Sequence, residues 1–235
     1  SNDLSNWVGR SQTVTDILEP SRVCALAAAL GQNVMPVAGD PLPHLRHWLY
    51  FWDVKPPAEL GVDGHPAKGG FLPPVPLPRR MWAGGRVKFQ APLFLGERVS
   101  KTSSILKVEE KSGKSGPLVF VTVSHEISGE SGVAVVEEQD LVYREPAPKS
   151  AAPAAMPTTT AAPSPAAWRQ DVNLDSVLLF RYSALTMNGH RIHYDLPYAR
   201  GEEAYPGLVV QGPLQATLLV DLASAHGKSQ ITGFD

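Results

Sequence analysis

Between residues 86 and 144 the chain alternates apolar and polar positions with a period of two. Val87, Phe89 and Ala91 alternate with Arg86, Lys88 and Gln90, the pattern of a half-buried strand. Three further strands are predicted over 98–109, 118–127 and 134–144. In the first of these the apolar phase slips at Ile105-Leu106, which predicts a bulge. The connections at 111–116 and 128–132 are short and Gly/Ser-rich, so successive strands turn back on one another in an antiparallel meander. Ahead of the meander, residues 20–30 read as a helix with Pro20 in its first turn and Gly31 as its stop. Residues 33–78 are rich in Pro and Gly and read as irregular, with Trp48-Leu49-Tyr50-Phe51-Trp52 as a packing surface. Helix plus curved antiparallel sheet is an α+β arrangement.

A second kind of pattern begins after residues 146–165, a stretch built almost wholly from Ala, Pro, Thr and Ser. It has too little apolar bulk to offset its ordering entropy and reads as an extended linker. It separates an N-terminal piece, 1–145, from a C-terminal piece, 166–235. The latter opens with a short helix near 175–180 and a polar, turn-prone passage over 183–207. Leu214, Ala216, Leu218, Leu219, Val220, Leu222, Ala223 and Ala225 then occupy nearly every side of a helix, with Thr217, Asp221 and Ser224 as a thin polar stripe. A helix this apolar needs other elements wrapped around it. Pro213 suits its first turn and Gly227 its stop.

Composition narrows the function classes. The 235 residues carry 21 basic and 23 acidic side chains, net −2, which disfavours a dedicated nucleic-acid binder. No apolar run approaches the roughly 20 residues that span a bilayer, so no membrane partner is expected. The chain opens on Ser1-Asn2 rather than Met, which suggests a processed start or a tag remnant. The single cysteine, Cys24, suits a reducing, cytoplasmic compartment, and its apolar surroundings predict a buried small hydrophobe.

The run Leu179-Phe180-Arg181-Tyr182-Ser183-Ala184-Leu185-Thr186-Met187-Asn188-Gly189-His190-Arg191-Ile192-His193-Tyr194-Asp195 resembles the signature of the MaoC-like, type 2 hydratase/dehydratases. Tyr198-Ala199 and the stretch from Tyr205 to Leu214 continue the likeness. Leu77-Pro78-Arg79-Arg80-Met81-Trp82-Ala83-Gly84-Gly85 and the run from Glu137 to Glu145 carry it in the N-terminal half. The resemblance implies a double hot-dog, in which a curved antiparallel sheet wraps a long helix in each of two repeats. Residues 1–145 would form the non-catalytic repeat and 166–235 the catalytic one. That second repeat needs strands of its own after the helix, and the chain ends at Asp235, so it is expected to be incomplete.

The resemblance also implies a cofactor-free enzyme acting on an acyl-CoA, with a homodimer as the expected assembly. The nearest branch includes mesaconyl-C4-CoA hydratase and the mitochondrial 3-hydroxyacyl-thioester dehydratases. The broader motif reads Asp-x-Asn-Pro-(Ile/Leu)-His, and here Asn188 replaces the Asp, His190 the Asn and Arg191 the Pro, while His193 is kept. Hydration needs a base for water, an acid for the α-carbon and donors for the enolate oxygen. His193 suits the base, and in a syn addition one water can supply both the hydroxyl and the α-proton, so that a single base would be enough. Asn188 would place the water without carrying a proton, and the Gly212 N–H, at the positive end of a helix, would hold the oxyanion. His190, Arg191, Arg181, Tyr182 and Ser183 are candidate substrate-binding residues, the two arginines facing a substrate carboxylate. Arg79-Arg80 could meet CoA phosphates or lie solvated. His190-x-x-His193-x-Asp195 has metal-like spacing but no fourth partner, so no metal is expected. His44, His47, His65, His125 and His226 receive no role. The alternatives are a dehydratase of fatty 3-hydroxyacyl thioesters and a silent acyl-thioester-binding protein, which the Asn188 replacement would permit.

Overall fold

One antiparallel sheet is built from β1 (Ser11–Ile17), β2 (Arg79–Phe89), β3 (Arg98–Gly113), β4 (Gly116–Gly129), β5 (Gly132–Arg144) and β6 (Gly233–Phe234), in the order β1-β3-β4-β5-β2-β6. The computed structural model describes residues 3–33, 35–113, 116–145 and 166–235. The Ala/Pro-rich stretch read as a linker lies outside the described residues, as do Lys114 and Ser115 of the first turn.

The meander follows the period-two pattern closely. The ladder between β3 and β4 shifts register between Ile105 and Lys107, where the apolar phase slips. Two strand features had no periodic signal. Strand β1 pairs along β3 from Ser11↔Ser104 to Ile17↔Arg98, yet nearly all its side chains are exposed, so no face of it is marked by apolar residues. Strand β2 begins at Arg79, ahead of the alternating run, because a register shift between Trp82 and Gly84 interrupts it.

Three helices pack on one face of the sheet. These are α1 (Pro20–Ala29), α2 (Ser176–Leu185) and α4 (Gly212–His226), with the short α3 (Leu196–Gly201) between the last two. Val23 and Leu26 of α1, Leu178, Leu179 and Tyr182 of α2, and Leu214, Ala216 and Val220 of α4 share one core with Val87, Val99, Ile127 and Val135 of the sheet. The two pieces on either side of the Ala/Pro-rich stretch therefore bury a common apolar surface, the main driving term for their association. A smaller cluster of Val75, Leu77, Ile105, Val119, Val121, Val123 and Tyr143 fills the other end of the sheet. Among the described residues the C-terminal piece adds only the two-residue β6, on Val87 and Lys88 of β2.

Several expectations need correction. Helix α2 runs on to Leu185, and the passage read as turn-prone contains α3, opened by Asp195, whose carboxylate accepts the Tyr198 N–H. Two of the three stripe residues on α4 are engaged within the protein, while Ser224 is exposed. Thr217 is buried, and Asp221 takes a bidentate pair from Arg46 at 2.7 Å and 2.7 Å. Leu219, on the opposite side, is exposed. Cys24 is only half-buried, with its thiol 3.4 Å from the Pro36 carbonyl. No helix among the described residues is long and apolar enough to cross a membrane.

Candidate active site

Helix α2 ends in a Schellman turn. The Asn188 N–H donates to the Ser183 carbonyl at 2.8 Å and the Met187 N–H to Ala184 at 3.3 Å, with Met187 left-handed at φ 51°. This turn throws Asn188 over a cavity of about 1480 Å³ lined by Asp63, His65, Asn188, His190, His193 and Gly212, among others. A 3₁₀ turn, Arg191–His193, then carries His193 inward, where it is 7% exposed.

Its ring orientation is decided by one bond. His193 Nδ1 lies 2.7 Å from the Val209 carbonyl oxygen, which can only accept, so Nδ1 holds the proton and the Nε2 lone pair is left free. Burial lowers its pKa and the Val209 bond acts the other way, leaving a net shift toward the neutral form. Asn188 Oδ1 accepts the His190 N–H at 3.1 Å, so its amide NH₂ is the part left to the cavity. Gly212 is the first residue of α4, and no partner for its N–H is found among the described residues. A Cβ there would come within 2.6 Å of the Trp82 ring, so the space a side chain would take is filled by that indole. The β2 irregularity next to Trp82 is the kind of feature that re-aims a side chain.

Of the candidate binding residues, Tyr182, His190 and Arg191 line the cavity, and burial raises the Tyr182 phenol. Two do not line it. Arg181 is exposed on α2, because the inward face of that helix is taken by Leu178, Leu179, Tyr182 and Ser183. Ser183 is buried between helices, its Oγ accepting Gln211 Nε2 at 2.9 Å. Arg191 is already engaged. Its guanidinium grips Asp195 at 2.7 Å and 2.9 Å, reaches the Val62 carbonyl at 3.1 Å and lies over the Tyr198 ring. Asp195 is thereby turned away, and the spacing His190-x-x-His193-x-Asp195 does not become a cluster.

The groups that do converge include two that the motif could not reveal. Asp63, His65 and His190 bring a carboxylate oxygen and two ring nitrogens within 4.8 Å of one another. Asp63 Oδ2 lies 3.2 Å from His65 Nδ1, and Oδ1 accepts the His65 N–H at 3.0 Å. Burial would raise the Asp63 pKa, but the hydrogen bond and charge of His65 hold it down at about 2. The His190 ring lies 4.3 Å from that of His65 and 5.5 Å from that of His193. Burial first, then His65 and His193, lower its pKa to about 3, so it is a neutral imidazole. The loop that brings Asp63 and His65 is seated backbone against backbone. The Arg191 N–H donates to the Asp63 carbonyl at 2.9 Å, and a Cβ on Gly64 would lie 2.0 Å from the Gly189 oxygen.

The cavity lining carries both signs, Lys68, Arg79, Arg80 and Arg191 against Asp63, Glu202 and Glu203. Arg79 pairs with Glu203, whereas Lys68 and Arg80 have no carboxylate within ion-pair distance among the described residues. Lys68 Nζ bonds the Val75 and Leu77 carbonyls, and burial followed by the Arg80 charge lowers its pKa.

Residues 45–235 match the family described as hydroxyacyl-thioester dehydratase type 2. Mesaconyl-C(4)-CoA hydratase of Chloroflexus aurantiacus is 48% identical over 236 residues, spanning 100% of this chain and 83% of that protein. The mitochondrial hydroxyacyl-thioester dehydratase type 2 of Schizosaccharomyces pombe is 28% identical over 198 residues, covering 74% of this chain and 64% of that protein. Among solved structures, a MaoC-like dehydratase superposes with a TM-score of 0.66 at 12% identity, over 95% of this chain and 79% of the other. Rv0216 of Mycobacterium tuberculosis, described as having a double hotdog fold, superposes with a TM-score of 0.54 at 13% identity, over 93% and 74%. The fold is thus of the double hot-dog type.

Proposed function

Because the chain belongs to the hydroxyacyl-thioester dehydratase type 2 family of MaoC-like hydratases, we propose that it adds water reversibly to an enoyl-CoA thioester, with mesaconyl-C4-CoA as its substrate. It is a hydro-lyase, and the acyl group is the part of this reading that rests on the 48% identical relative. The observation that carries the site assignment is the His193 ring, fixed through Nδ1 on Val209 with its free Nε2 beside a large cavity.

In this reading His193 Nε2 takes a proton from water, as a neutral imidazole held by a second hydrogen bond can do. The Asn188 amide donates to the same water oxygen and holds it near the β-carbon. As the oxygen attacks, charge builds on the thioester oxygen, and the Gly212 N–H meets it at the positive end of α4. Such a donor contributes about 3–4 kcal/mol to transition-state binding. Lys68 and Arg80 replace Arg181 and Arg191 as the cations we assign to an anionic part of the substrate, the free carboxylate or the CoA phosphates. The repeat division agrees with the same reading, with 1–145 as the non-catalytic half and 166–235 carrying the hydratase motif. The apolar Leu72, Met81, Leu141 and Val209 in the lining favour a second reading, a longer acyl chain.

Loss of the enoyl-thioester absorbance measures turnover directly. Mesaconyl-C4-CoA is expected to be consumed faster than straight-chain enoyl-CoAs, and the reverse order would select the longer-chain reading. His193→Ala is expected to lower kcat by about 10²–10⁴-fold with an unchanged melting temperature. A folded, fully active His193→Ala protein would overturn the site.

A further inference from the structure

A two-group acid–base scheme needs a second proton carrier, and Asn188 cannot be one. A carboxylate-backed imidazole stands in the same cavity, supplied by the loop ahead of β2 rather than by the motif. We infer that His65, oriented by Asp63, is the acid that protonates the α-carbon, and that Asp63 is its positioning residue. This role rests on the proposed hydratase activity and assigns the half of the chemistry that the motif leaves open.

The geometry carries the inference in three steps. Asp63 Oδ2 is 3.2 Å from His65 Nδ1 and can only accept when ionised, so Nδ1 bears a proton and Nε2 is the ring's other proton site. A carboxylate placed so fixes the tautomer and stabilises the imidazolium form, the part the aspartate plays in serine-hydrolase triads. Asp63 is suited to this because it stays ionised, its pKa held at about 2 by His65 against the effect of burial. Next, the His65 ring meets His190, which meets His193, so the acid and the base line one cavity with a neutral imidazole touching both. Finally, the loop is fixed rather than draped. The Asp63 carbonyl accepts the Arg191 N–H, the Val62 carbonyl takes the Arg191 guanidinium, and Gly64 meets Gly189 with no room for a side chain on either. Charged and titratable groups around His65 and His190 include Asp63, His193 and Arg80, with Lys68 and Tyr198 acting on Asp63.

The step balances. His193 Nε2 takes one proton from water, the water oxygen bonds to the β-carbon, and the π pair moves onto the thioester oxygen. The carbonyl re-forms as the enolate pair takes the proton from His65 at the α-carbon. One water has then been added, His193 holds a proton and His65 lacks one. The proton returns to His65 through cavity water or the His190 ring. Run backwards, the same two groups remove water, with His65 as base.

His65→Gln and Asp63→Asn test this on the enzyme as it stands, with melting curves to check folding and bound zinc measured alongside. His65→Gln is expected to lower kcat by about 10²–10³-fold with KM within a few-fold, and to abolish the alkaline limb of the pH–kcat profile. Asp63→Asn keeps the imidazole but removes the charge behind it, so the alkaline limb should move to lower pH while kcat falls less. Where His65→Gln fails to fold, the Asp63→Asn profile decides, and an unmoved limb overturns the inference. So do folded variants within twofold of wild-type kcat, or stoichiometric zinc whose removal abolishes activity. Wild-type protein that hydrates no enoyl-CoA would instead sink the proposed function, an outcome distinct from active wild type with an equally active His65→Gln.

Discussion

Among the described residues, two carboxylate–histidine pairs sit in opposite settings. Glu137 of β5 lies on the inner face of the sheet, directly opposite His125 of β4 and 2% exposed. His47 Nε2 lies 3.0 Å from Oε2, Trp48 Nε1 donates to both oxygens at 3.0 Å, and Gln139 donates to Oε1 at 2.6 Å. Every capacity of that carboxylate is met by fixed donors, and Glu137 does not itself line the cavity. Asp63 and His65 form the same chemical pair but open on the cavity beside His190. The difference teaches that a depressed carboxylate pKa does not mark a site by itself. Both acids are held at about 2, against burial, chiefly by a histidine. What separates them is whether the histidine has anywhere to send a proton.

The sharpest way to break the comparison is to remove each carboxylate. Glu137→Ala leaves the buried His47 and the half-buried Trp48 without their acceptor, and breaking a buried pair costs about 3–5 kcal/mol. Asp63→Asn keeps an acceptor at a half-exposed position and should cost about 1 kcal/mol. Urea titrations of the two variants check this. Near-equal losses would mean that the Asp63 loop is as much a part of the core as the β5 network.

The two settings also differ in how far they could be read from the chain. The β3 bulge announced itself because two apolar residues, Ile105 and Leu106, stand where one should. Strand β1 did not, since a strand exposed on both faces carries no period. His193 and Gly212 were legible because motif residues are close in sequence. Asp63 and His65 were not, because no pattern links two irregular loops whose contact, Arg191 to Val62, spans 129 residues. The close approach of Gly64 and Gly189, each without room for a Cβ, joins two Arg191 hydrogen bonds in making that contact, and none of these leaves a periodic mark in the chain. Arg181 misled for a related reason. It lies within the motif run, yet one residue along a helix turns a side chain by about 100°, from the Tyr182 face to solvent.

Acid should separate the regions by window. Glu137 ionises at about 2 when folded and at 4.5 ordinarily, so its stabilisation is complete above about pH 4.5 and lost as pH falls through 2. His190, ordinarily 6.5, protonates at about 3 when folded. The unfolded chain therefore binds that proton first, and stability declines as pH falls from 6.5 toward 3. His125, lowered to about 4 mainly by burial, adds to the same decline from within the closed network. His190→Gln is expected to flatten, and not abolish, the loss of stability between pH 6.5 and 4 seen in urea titrations at stepped pH. An unchanged slope would mean that the cavity histidines are protonated in the native state.

The smallest expected effect concerns backbone strain, which both regions store. Leu45, at φ 64°, precedes the turn that carries Arg46, His47 and Trp48 to the closed network, and Met187, at φ 51°, precedes Asn188 at the cavity. Both are left-handed residues with a Cβ, a conformation costing about 1–2 kcal/mol that glycine avoids. The same substitution should nevertheless act in opposite directions. Leu45 is 2% exposed, so Leu45→Gly removes the strain together with a buried side chain and should cost about 2 kcal/mol or more. Met187 is 49% exposed, so Met187→Gly relieves strain, loses little packing, and gives back part of the gain as unfolded-chain entropy. A net stabilisation of about 0.5 kcal/mol is expected, read as a small rise in melting temperature. Its effect on turnover is the informative part. If the left-handed turn serves only to aim Asn188, glycine holds the same Schellman geometry and kcat stays within twofold. A fall in kcat with a rise in melting temperature would show that the Met187 side chain restrains Asn188 as well as the backbone does.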